Sequence, residues 1–158
     1  MRRHSFIARL GPADTTRVHT HMPGGLTTEL CFVDGDHRLG FGLGQLTDRL
    51  AARSVVPSDN ALDLASLAAC VTAADTRVSR SDDSQDSWTR EIDLHLPVAD
   101  VAVWTSATAL IERTLAFLTG DRWRLFVRAR HREYTALLRS SPPLVRPSST
   151  SLCLLSDG

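Results

Sequence analysis

Between Trp88 and Arg130 the period of apolar positions changes from two to three-and-four and back to two, which predicts strand, helix, strand. In the first strand Ile92, Leu94 and Leu96 alternate with Glu91, Asp93 and His95, and Pro97 ends it. Asp100 is a good cap for a helix over Val101 to Leu118. That helix carries Trp104, Thr108, Ile111, Leu115 and Leu118 on one stripe. Gly120 falls where a left-handed residue closes a helix, and Trp123, Leu125 and Val127 share one face of the second strand. Such a unit crosses over right-handed and yields parallel strands, with the helix laid on both apolar faces.

The flanking pattern adds smaller elements. Ser5 to Leu10 reads as a strand and Gly11 to Gly25 as a loop. Asp34-Gly35 between two alternating runs predicts a β-hairpin, with Leu30 and Phe32 facing the core before the turn and Leu39 and Phe41 after it. A helix follows over Gln45 to Ala52. Ser58 or Asp59 caps the next one, in which Leu64, Ala68 and Val71 form one stripe flanked by Leu62, Ala65 and Ala69. This helix is apolar nearly all round and is expected to be the most buried. Ser81 to Ser87 is an acidic loop. The expected fold is therefore mixed α+β: a small sheet with a β-hairpin and a strand-helix-strand unit, covered by two to three helices. That domain spans residues 1–134. Residues 135–150, rich in Pro and Ser, read as a linker, and 151–158 as the first strand and loop of a second, truncated domain.

Composition narrows the classes. The 158 residues suffice for one domain with a core, and the net charge is zero, so no global field draws the chain to nucleic acid or membrane. All 18 basic residues are Arg. No apolar run approaches the roughly 20 residues of a transmembrane helix, and the start lacks an apolar stretch of signal-peptide length. Cys31, Cys70 and Cys153 are far apart and odd in number, which points to reduced thiols in a cytoplasmic protein.

Two stretches carry a resemblance. LDLASLAACVTAADTRVSR, WTREIDLHLPV and LAFLTGDRW, between Leu62 and Trp123, resemble the N-terminal region of QueC-like proteins of bacterial antiphage defence, QatC-like or CBASS-associated. LCLLSDG at the end looks like the strand and SGGxDS opening of the PP-loop in that family. The resemblance implies that a full-length protein would be similar to 7-cyano-7-deazaguanine synthase, binding ATP through the PP-loop and activating a carboxylate as an adenylate. Ser156 and Gly158 match the first and third motif positions, as a partial nucleotide-binding site with Asp157 between them. Asp157 stands where the motif has Gly and sets a carboxylate against the phosphates. The family's zinc-binding cysteines lie further downstream. ATP and zinc are thus expected only for a full-length family member, with no cofactor in this chain.

The candidate chemistry read from the residues is sparse. Arg122, Arg124, Arg128, Arg130 and Arg132 share a parity, and on a continuous strand they form a cationic stripe for phosphate, nucleic acid or an acidic partner. Glu91 and Asp93 have the matching parity on the partner strand and can pair with part of it. Two acids cannot neutralise five Arg, which leaves Arg128, Arg130 and Arg132 as surplus charge. His19 and His21, with His4 and His37, lack a third convergent ligand at usable spacing, so no metal site is expected. Gly40, Gly42 and Gly44 precede a helix, but Gln45 stands where a dinucleotide fingerprint has its third Gly. Asp63 and Asp75 lie about 18 Å apart along a helix axis, too far for one acid/base site. Each is expected to bond a buried Arg, Arg80 or Arg90. Trp88, Trp104 and Trp123 read as core. No catalytic residue is assigned.

The sequence thus points to a non-catalytic accessory or target-recognition domain of a QueC-like defence protein, with a protein partner from the same operon and no membrane. Two alternatives stand beside it: a stand-alone interaction module or subunit of a split enzyme, and a small nucleic-acid-binding domain using the Arg128–Arg132 stripe.

Overall fold

The computed structural model describes residues 3–20, 25–33, 40–80 and 88–134. Among them, strands β1 (Arg3–Arg9), β2 (Leu26–Cys31), β3 (Glu91–Val98) and β4 (Arg122–Ala129) form a four-stranded sheet in the order β2-β1-β3-β4. Every neighbouring pair is parallel. Helices α1 (Leu43–Ala51), α2 (Asp59–Arg77) and α3 (Val101–Thr119) and a 3-10 turn, Arg132–Tyr134, complete the described part. The mixed α and β architecture, a small sheet covered by helices, is the one the pattern predicts.

The register explains the layering. Phe6, Leu94 and Leu125 are aligned across β1, β3 and β4, as are His4, Ile92 and Trp123, so one face of the sheet is mostly apolar, with His4 the polar residue of its β1 row. It packs against Leu67, Cys70, Ala73 and Ala74 of α2 and Trp104 and Leu115 of α3 in a single core. Each large side chain buried there contributes roughly 1.5–3 kcal/mol by leaving water. The helix ends follow the expected chemistry. The Ser58 side chain accepts from Ala61 N, Asp100 accepts from Val103 N at 3.1 Å, and Gly120 takes φ 75° at the end of α3.

Several expectations are corrected. Strand β3 runs through Pro97 to Val98, because its pairing with β1 stops at His95 and the missing N–H breaks no ladder bond on that side. In α2 the buried residues are Leu62, Asp63, Ser66, Leu67, Cys70, Ala73 and Ala74, whereas Leu64, at 58% exposure, faces outward. Asp63 lies on the inward side, where its carboxylate accepts from Ala99 N and from Arg130 at the sheet edge. Trp88 is not core. It is exposed, and its ring lies beneath the Arg80 guanidinium, whose Nη1 donates to Trp88 O at 2.8 Å. Phe41 is also exposed, at φ 54°, tilted against the buried Phe32 with ring centroids 5.2 Å apart. The turn Asp34-Gly35 and Leu39 lie outside the described residues, as do 135–158. Among the described residues β2 pairs only with β1, in parallel.

Helix α3 also departs from expectation. By length and composition its 19 residues could cross a membrane. In the fold it packs along β4, with Trp104 and Leu115 buried and Glu112 accepting from Leu125 N at 2.8 Å, while Leu118, expected on the buried stripe, is exposed.

Candidate functional site

A parallel sheet of this order has a topological switch between β1 and β3, where the chain leaves to opposite sides, and ligands commonly sit outside the carboxyl ends of such strands. Here the chain fills that place with its own groups. The Asp14 carboxylate, fully buried, accepts from Leu10 N at 3.2 Å and from Arg128 Nη2 at 2.7 Å. Arg128 Nη2 also donates to Ala8 O. Ala13 N donates to the Tyr134 hydroxyl at 3.2 Å, and the Tyr134 ring lies over Gly11. Beyond β3, Ala99 N donates to Asp63 Oδ2 at 2.8 Å. The amides of Leu10, Ala13 and Ala99, which could cradle a phosphate, are thus each engaged by a side chain of the same molecule.

Electrostatics follow the same rule. Burial pushes the Asp14 carboxyl up, but its bonds and charge contact with Arg128 and the Leu10 amide outweigh this and hold it below the ordinary 3.8. For Asp63 burial dominates. The Ala99 amide and Arg130 pull the other way without offsetting it, so its carboxyl is raised above 3.8. On the sheet face away from the helices, Arg3 pairs with Glu91 at 2.6 Å, Arg122 with Glu91 at 3.4 Å and Arg124 with Asp93 at 3.2 Å. His95 stacks on Phe126 with ring centroids 4.7 Å apart.

The expected cationic stripe is therefore not assembled as expected. Arg124 is neutralised by Asp93, and Arg128 by Asp14, which sequence parity did not place nearby. Arg130 lies past the end of β4 at Ala129, so strand parity no longer governs it. It turns onto α2, 2.6 Å from Asp63 and 2.8 Å from Asp59, and is buried. Arg132 is in the 3-10 turn and exposed. Asp75 bonds Arg90 as expected, at 2.7 Å, but Asp63 takes Arg130, and Arg80 takes Asp121 at 3.0 Å. Ser156, Asp157 and Gly158 lie outside the described residues, as do His21 and His37. His19 is exposed in the loop after β1 and His4 is buried in β1. Gly42, at φ 77°, caps α1, and Gly44 lies within that helix. Among the described residues no group of three or more His, Cys, Asp or Glu could hold a metal ion.

What the sequence reading missed is an apolar groove between α2 and α3, of about 480 Å³. Leu64, Ala68 and Val71 form one wall and Leu110, Thr114 and Leu118 the other, with no charged side chain in the lining. Beside it Leu110, Phe117 and Leu118 are exposed at 59%, 89% and 70%. A signal existed in the sequence: the Leu64, Ala68 and Val71 stripe of α2 and the Ile111, Leu115 and Leu118 stripe of α3 both line this groove, and Leu64 and Leu118 on its rim are exposed rather than core.

Comparison with protein-family models, with curated proteins and with solved structures finds no match to this chain.

Proposed function

We propose that this chain is a non-catalytic interaction domain that presents the α2/α3 face to a protein partner. The observation that carries the reading is the uncharged groove flanked by Leu110, Phe117 and Leu118, since exposed apolar surface of this extent marks a contact site. It is supported by the carboxyl edge of the sheet, where Asp14, Arg128, Asp63 and Arg130 engage one another. The resemblance of Leu62 to Trp123 suggests the setting: an accessory domain of a cytoplasmic QueC-like antiphage defence protein, next to a downstream ATP-binding PP-loop domain, with an operon partner. In that setting ATP and zinc belong to the downstream domain. A stand-alone module or split-enzyme subunit uses the same face. The nucleic-acid reading is weaker, because Arg124, Arg128 and Arg130 each have a carboxylate within 3.2 Å.

The test is direct. The purified chain is mixed with ATP and magnesium, and pyrophosphate and phosphate release and heat of binding are measured. The reading expects neither turnover nor saturable heat, and turnover by the chain alone overturns it.

A further inference from the structure

The α2/α3 face combines a ridge and a recess. Phe117 and Val103 stand on the outer shoulder of α3 and do not line the groove, whereas Leu110 borders both. A single foreign helix laid in the groove would leave Phe117 in water. A partner carrying its own ridge and recess, turned by a two-fold axis, would cover both. Such self-complementarity is what an isologous interface requires, and ridges into grooves is how helices pack.

From these observations we propose that the partner for this face is a second copy of the chain, in a two-fold dimer joined through α2 and α3. This rests on the interaction-domain reading and names its partner. Area supports it. Leu64, Val103, Leu110, Phe117 and Leu118 together present on the order of 500 Å² of apolar surface, near the upper end for a monomer. This is roughly two thirds of the ~800 Å² per partner of a standard interface. Charge permits it: the net charge is zero, and α3 carries only Glu112 and Arg113, of which Glu112 is bonded to Leu125 N. The same charge pattern argues against a bilayer surface as the occupant. An interfacial helix has a basic polar face, and Arg113 is the single basic residue of α3.

Sedimentation equilibrium of the full chain at ~10 µM tests this. The wild type is expected at twice the monomer mass of 17.3 kDa. Leu110→Gln combined with Phe117→Ser is expected at the monomer mass, with unchanged circular dichroism. Should that double variant misfold, Thr114→Arg serves in its place, since it sets a charge on the apolar groove wall from an exposed position. Trp88→Ser, which alters an exposed Trp outside the patch, is expected to remain dimeric. A monomeric wild type overturns the proposal, whether or not it sediments with phosphatidylcholine–phosphatidylserine vesicles. So does a dimer that survives the α3 substitutions. Neither result touches the non-catalytic reading, which falls only with ATP turnover.

Discussion

Arg130 and Asp63, separated by 67 residues, meet at 2.6 Å, with both side chains buried at the carboxyl edge of the sheet. At the opposite edge Arg90, equally buried, reaches Val78 O at 2.9 Å and Asp75 at 2.7 Å. Helix α2 is therefore tied to the sheet at both ends by a guanidinium, while the middle of its outer side is left bare.

Removing one partner of such a pair leaves the other buried and uncompensated, which costs about 3–5 kcal/mol. Arg130→Met is expected to fall in that range by urea unfolding, because Asp63 keeps only the Ala99 amide. Arg130→Met with Asp63→Leu should recover much of the loss. A double variant as unstable as the sum of the singles would mean that the pair does not act as a unit.

The Asp121 carboxyl gives the fold an acid limb. Burial pushes it up, but hydrogen bonds from the Arg90 side chain and amide, and the charges of Arg90 and Arg80, hold it below 3.8. A depressed carboxylate contributes stability that is present above its unfolded value and lost as pH falls through the folded one. Asp121→Asn is therefore expected to cost most at neutral pH, with the deficit shrinking as pH drops below 3.8 and the wild type loses the same contribution. Asp63, raised rather than lowered, works in the opposite sense and blunts the acid limb. Urea titrations across the acid range check this, and a deficit independent of pH would contradict it.

Period and capping made the central unit legible. Ile92, Leu94 and Leu96, the Asp100 cap, the Gly120 stop and the Trp123/Leu125/Val127 face all stand as the pattern predicts. Local pattern could not reveal which of two apolar stripes on a helix meets the sheet. In α2 the inward side is the one on which Asp63 reaches Ala99 and Arg130, contacts 36 and 67 residues away that no local period encodes. The Arg stripe failed for a related reason: parity holds only inside a strand, and Asp14 arrives from a loop with no period. The groove hides in the same ambiguity: Leu64 and Leu118 sit on stripes that pattern alone assigns to the core, yet they form its exposed rim.

Burial also separates the thiols. Burial pushes the Cys70 thiol up to about 12, which leaves almost no thiolate at neutral pH. Cys31 is exposed, with Sγ 3.2 Å from Val33 O. In a Cys153→Ser background, a chromogenic disulfide reagent at pH 8 should titrate Cys31 promptly and Cys70 only after denaturant is added. Equal reactivity of the two thiols in the folded protein would place Cys70 outside the core.

Gly11 is small for a reason outside its own backbone. A Cβ there would lie 2.6 Å from Tyr134 Cζ, inside the distance at which carbon atoms can coexist, so the ring must move. The ring is held, because its hydroxyl accepts from Ala13 N and it packs with Leu10 and Val33. Moving it uncovers the loop that carries Asp14, and with it the Arg128 contact. Gly11→Ala is therefore expected to destabilise by about 1–3 kcal/mol, the range of overpacking. The cost should almost vanish in a Tyr134→Ala background, where the site is empty, so a double-mutant cycle should give a coupling energy of nearly the whole single-site effect. Additive costs would mean that Gly11 is needed for its backbone and not for the room it leaves to Tyr134.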